Sequence, residues 1–264
     1  MIRRLSLRLS LAVCAIGWLA APAFAEEGDG TKDWDGEINL AGSAQTGTTD
    51  TISGTADAST TRSWEKDQVT GRLVATYGSS KPRDDTRNTT ADSQSLRFNW
   101  RRQVHNRFFW DSRTFVGRDS TQDRKIRFLA NSGPGYRFWE DESEADKNHF
   151  DVSTGVGFRY EVYDGNNNDS DLKTDTKTLA DLAAGFDYKN MLFDEKIEFS
   201  HTGAIAVPAN APDEFIIVSE VIIGVPLTAS WSFRTSFLVE YTNQVPDNVS
   251  ETMTLTTIGL GYKF

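Results

Sequence analysis

At 264 residues with a single cysteine, the chain has the length of one all-β domain and too few thiols for a disulfide framework or a cysteine-built metal centre. The formal net charge is −10; beyond residue 25, 25 basic residues face 38 acidic ones, a net of −13 that argues against nucleic acid as a partner. Aromatic residues make up 11% and recur at regular spacing, which excludes a disordered acidic chain.

The N-terminal segment sets Arg3, Arg4 and Arg8 ahead of an apolar stretch through Leu11, Val13, Ile16 and Leu19, then ends on Ala23-Phe24-Ala25. That order is a secretory signal with an A-x-A cleavage site, so residues 1–25 are expected to be removed and residues 26–264 to form a single domain. Cys14 lies in the signal core, and Val13 before it argues against lipoprotein processing. No later stretch approaches the ~20 apolar residues of a spanning helix.

Period-two alternation begins at Trp34, Gly36, Ile38 and Leu40, continues more weakly at Ile52, Ala56 and Ala58, and returns at Val69, Leu73, Ala75 and Tyr77. Leu96, Phe98 and Trp100 then oppose Arg97, Asn99 and Arg101, while Phe108 and Trp110 oppose Phe109, Asp111 and Arg113. A sixth strand starts at Ile126 and Phe128. The seventh, from Phe150 through Val152, Val156 and Phe158 to Val162, is the most regular, and its other face reads Asp151, Ser153, Gly155, Gly157, Arg159 and Glu161. Further strands run through Leu182 to Tyr188, Ile197 to Ile205, Phe215 to Val225 and Trp231 to Tyr241. A last one carries Ile258, Leu260, Tyr262 and Phe264.

About twelve such segments, joined by alternating short and long polar links, predict an antiparallel up-and-down transmembrane β-barrel. A soluble sandwich or lipocalin-like barrel also alternates. The charges decide between them. Arg97, Arg101, Asp111, Arg113, Arg159, Glu161, Glu198, Glu220, Arg234 and Glu240 all fall opposite the aromatics, where a soluble core would bury them at high cost and a polar lumen would not. These ten residues are the predicted lumen lining.

Trp34-Asp35-Gly36, Gly47-Thr48-Thr49-Asp50, Arg118-Asp119, Arg127 followed by Gly133-Pro134-Gly135-Tyr136, the strand Gly155 to Glu161 and the closing Tyr262-Lys263-Phe264 together resemble the family of domain of unknown function 481, described as salt-induced outer-membrane proteins. The usual Gly-Asn-Thr of that family reads Gly47-Thr48-Thr49 here. The resemblance spans nearly the whole exported chain and implies a place in the bacterial outer membrane and a link to osmotic stress, with no mechanism.

A charged lumen can select ions or small solutes, or be sealed by its own salt bridges; twelve strands lie between the ~8 that side chains fill and the ~16 to 18 that leave a channel. A second candidate is a lipid-facing pair, His201 and Ser219. A hairpin centred near Asn210 would set them opposite each other, as in a lipid hydrolase where a base activates a hydroxyl. No third residue to orient the imidazole is evident, so the chain is not expected to be an enzyme. His105 and His149 read as solvated turn residues. Asp164 to Asp171 carries alternating oxygen ligands but lacks the glycine and closing glutamate of a calcium loop, so neither metal nor cofactor is expected. The expected partners are outer-membrane lipids, lipopolysaccharide and the barrel assembly machinery, which would read Leu260, Tyr262 and Phe264 as a C-terminal insertion signal. A monomer is expected, with structural or adhesive use of the outer loops as another reading.

Overall fold

Each predicted strand has the ~9 to 11 residues needed to cross the hydrocarbon layer at a tilt, and a lone hairpin with one apolar face could satisfy neither its edges nor its polar face in lipid. Closure into a ring resolves both. In the computed structural model, which describes residues 34–45, 49–82, 88–120, 123–141, 147–163, 175–245 and 251–264, the chain closes into a barrel of twelve strands. They are β1 (Asp35–Gln45), β2 (Thr49–Ser63), β3 (Asp67–Pro82), β4 (Asn88–His105), β5 (Phe108–Asp119) and β6 (Arg124–Glu140), then β7 (His149–Tyr163), β8 (Asp175–Leu192), β9 (Ile197–Pro208), β10 (Ile216–Pro226), β11 (Trp231–Thr242) and β12 (Thr252–Lys263). Every strand pairs antiparallel with its sequence neighbours, and β1 meets β12.

Alternation sorts the faces as predicted. Leu40, Phe98, Val156 and Leu182 are exposed on the outside, while Arg127, Arg159, Glu161 and Asp151 are buried within. Trp34, Trp64, Trp100, Trp110, Trp139 and Trp231, all six tryptophans after the signal, lie at the end that carries the termini and the short turns. Between β5 and β9 that end is belted by ring contacts: Phe108 with Tyr136 at 4.9 Å, Tyr136 with Phe138 at 5.0 Å, Phe138 with Phe150 at 5.9 Å and Tyr188 with Phe199 at 5.9 Å. Such girdles mark a membrane interface, and in outer-membrane barrels the short-turn end is periplasmic. The link from Glu140 to His149 also lies on that side and is longer than the other turns there.

Gly133 and Pro134 keep register with β5 but drop out of the ladder with β7. Proline offers the ladder no N–H. A Cβ on Gly133 would stand 2.1 Å from the Thr154 carbonyl oxygen, and one on Gly135 would stand 2.1 Å from the Phe109 ring. Glycine at the second position therefore lets Phe109, only 2% exposed, lie against the lumen wall, where Arg101 stacks 4.2 Å from its centroid. At the seam, Gly36 and Phe264 exchange two backbone hydrogen bonds of 3.0 Å, and the Phe264 ring covers Gly36.

Candidate functional site

The inward side chains meet one another across the lumen. Arg72 on β3 forks between Asp57 on the adjoining β2, at 2.7 Å, and Glu220 on β10, at 2.9 Å. Arg97 on β4 reaches the same Glu220 at 3.3 Å. In the ring of twelve, β4 and β10 are six places apart in either direction, so this pair spans the diameter. A second crossing joins β6 to β11: Arg127 bonds Glu161 on β7 and Glu240 on β11, and Arg124 reaches Glu240 at 3.3 Å. Arg127 and Glu161 are each 1% exposed, a burial that charged groups tolerate only when paired.

All ten predicted lumen residues point inward, and each is in an ion pair. Arg101 bridges Asp111 and Asp151, Arg113 holds Asp111, and Arg159 takes Asp181 at 3.0 Å together with the Glu214 carbonyl at 2.7 Å. Glu198 lies 3.3 Å from both Lys189 and Lys263, and Arg234 donates to Glu37. Sequence reasoning missed Asp57, Arg72, Arg127 and Glu240's second partner Arg124 as members of this network. The inward parity of Asp57, Arg72 and Arg127 was available from the alternation, whereas Arg124 turns inward only through a register shift before Ile126, and the partners on distant strands were not legible.

Two cavities flank the crossings. One of about 220 Å³ lies against β1 to β6 and β10 to β12, and one of about 510 Å³ against β3 to β11. Arg72, Arg97, Phe115, Arg127, Glu220 and Glu240 belong to the walls of both and form a septum between them. The larger space exists because inward positions on β6 to β9 are small: Gly133, Gly155, Ala183, Gly185, Ser200 and Ala204.

On the lipid face, His201 Nε2 and Ser219 Oγ are 3.1 Å apart. The pair meets by a different register from the one expected. His201 opposes Val221 and Ser219 opposes Gly203, so the contact is diagonal. Phe186 abuts the imidazole edge-on at 4.8 Å. His201 makes no other hydrogen bond among the described residues. His149 corrects its reading as a solvated turn residue: it opens β7, is 8% exposed and lies 3.7 Å from Asp187. His105 ends β4 and is exposed. The signal segment and the Asp164 to Asp171 loop lie outside the described residues, among which no metal-binding group of three or more His, Cys, Asp or Glu occurs.

Comparison with solved structures shows an outer-membrane β-barrel fold. The translocator domain of the autotransporter NalP from Neisseria meningitidis superposes with a TM-score of 0.52 at 13% identity, covering 98% of each chain. The NanC porin gives a TM-score of 0.45 at 9% identity, over 86% of this chain and 98% of its own. No curated protein matches at a significant level. Residues 38–264 match the model of the DUF481 family, described as "Protein of unknown function", and the chain belongs to that family.

Proposed function

We propose that this is a non-enzymatic, monomeric outer-membrane barrel, closed along its axis at rest, which supports envelope integrity under osmotic stress and passes small solutes only slowly. The observation that carries the reading is the bridging of Glu220 on β10 by Arg72 and Arg97 from the opposite wall. An open pore would keep such charges apart on its rim; here they occupy the middle and partition the lumen. In this reading the N-terminal signal is removed after export, the assembly machinery recognises Leu260, Tyr262 and Phe264, and outer-membrane lipids with lipopolysaccharide surround the girdled exterior.

Planar-bilayer recording tests it. Protein purified from membranes should stay near baseline, and Glu220→Gln, which releases Arg97 and leaves Arg72 held by Asp57 alone, should raise the conductance and favour anions. Steady porin-like openings from the unaltered protein would overturn axial closure.

The 3.1 Å contact of His201 with Ser219 favours a second reading, lipid ester hydrolysis. Ser219 Oγ would attack the acyl carbon as His201 Nε2 takes its proton and passes it to the departing lysolipid alkoxide; water would then free the acyl group by the reverse relay. Release of fatty acid from phospholipid vesicles, abolished by Ser219→Ala, would establish it. Equal, background release from both proteins would leave the pair as a hydrogen bond satisfying two polar groups in lipid.

A further inference from the structure

β1 and β12 close the barrel over part of their length. Their register runs through five pairs, from Glu37 opposite Lys263 to Ala41 opposite Gly259, and stops. Both strands continue. β1 stays paired with β2 as far as Gln45, and β12 stays paired with β11 back to Thr252, so two regular edges part in the half of the barrel farther from the termini. Open strand edges are not tolerated against hydrocarbon, because N–H and C=O groups there have no partner; they persist only beside a cavity.

The smaller cavity supplies that neighbour. Its lining takes Ala41 from β1 and Met253, Thr254, Leu255, Thr257 and Gly259 from β12. Thr254 opposes the outward Val239 and is exposed, so a residue of the lipid-facing set also borders the cavity. The cavity has two kinds of wall. Val74, Phe115, Leu238, Met253 and Leu255 form an apolar side that is unusual for a polar lumen. Arg97 and Arg118 line it too, with side chains 37% and 38% exposed. Among the described residues Arg97 donates one hydrogen bond, to Glu220, and Arg118 donates one, to Asp92, which leaves N–H groups on both without a partner among those residues.

We propose that the parted β1–β12 seam is a lateral portal through which an anionic, single-chain amphiphile of the outer leaflet enters the smaller cavity, with its headgroup on Arg97 and Arg118 and its chain along Val74, Leu238 and Leu255. Guanidinium forks match phosphate and carboxylate oxygens, and the apolar wall removes the chain from water. The inference is independent of axial closure, since the path runs sideways through the wall.

Two measurements test it on protein purified from membranes. The chain after the signal has no cysteine, so paired cysteines report on the seam alone. Leu40→Cys with Leu260→Cys, partners in the closed part, should oxidise readily, whereas Gly42→Cys with Ile258→Cys should remain reduced under the same conditions. Equal oxidation of both pairs would overturn the portal. Native mass spectrometry then compares lauryl phosphate, dodecyl maltoside and inorganic phosphate as probes. One lauryl phosphate should be retained, about tenfold more weakly for each of Arg97→Gln and Arg118→Gln. Val74→Trp should weaken it with both guanidiniums intact, and heat-modifiable gel mobility confirms that each variant is folded. Equal retention of the maltoside, displacement by inorganic phosphate at equal concentration, or indifference to all three substitutions would overturn the proposal, as would capture of a peptide strand by the open edge in place of the amphiphile.

Discussion

The wall formed by β7 and β8 and the seam between β12 and β1 are built from the same alternation, yet they differ in how much holds them. β7 and β8 share fifteen register pairs, from His149 opposite Lys189 to Tyr163 opposite Asp175. The seam has five. Behind the wall, Arg159 is clasped by Asp181 and by the Glu214 carbonyl, and Phe150 contacts Phe186 and Tyr188 outside. At the seam, closure rests on Phe264 folded over Gly36 and on Glu37 reaching Arg234. A barrel therefore need not be equally firm all round: inward ion pairs brace one side, while the junction of first and last strands, made last in the chain, keeps a part that can open.

The largest break in this contrast should come from the braced side. Arg127→Leu removes a fully buried cation and leaves Glu161 and Glu240 facing each other without it, although Arg124 still reaches Glu240. Stranding buried charge costs about 3–5 kcal/mol, so urea unfolding in vesicles should lose about that much stability. A loss below about 1 kcal/mol would mean that water fills the septum and screens the charges. An intermediate effect is expected at the seam from Phe264→Ala. The ring is 44% exposed, so its removal forfeits only part of an aromatic burial, about 1–2 kcal/mol, and the seam should become more open to proteolysis than the β7–β8 wall. Equal protease sensitivity of both sites would deny Phe264 its closing role.

How far the sequence discloses this depends on the range of the interaction. All twelve strands were legible because period two is local: Phe150 to Val162 announces β7 without reference to any partner. The same parity put Arg97, Glu220 and Glu240 in the lumen. It could not say that Arg97 and Glu220 would meet across the diameter, because that follows from strand number and stagger, which are properties of the closed ring. His201 and Ser219 show the boundary. The hairpin was legible, but its register differs from the expected one by two in the sum of paired numbers, and only the reach of a diagonal neighbour preserves the contact. The parting of β1 from β12 left no local mark, since Gly42 to Gln45 alternate and pair with β2 as any strand does.

The smallest expected effect separates the lumen from the rim. Arg102 lies 3.9 Å from Asp67 at the end that bears the termini, with its side chain 55% exposed, so its formal chemistry matches that of Arg127 with Glu161 while its surroundings do not. In water the pair gains little Coulomb energy and loses side-chain freedom. Asp67 also accepts a 3.0 Å hydrogen bond from the Trp100 indole, which keeps the carboxylate occupied when the arginine is gone. Arg102→Ala should therefore change unfolding stability by less than about 0.5 kcal/mol, and should leave conductance and cysteine cross-linking at the seam as they are. A loss comparable to that of Arg127→Leu would show that the rim carries the barrel and that the septum is only one consequence of closure, which reverses the order of importance drawn from burial.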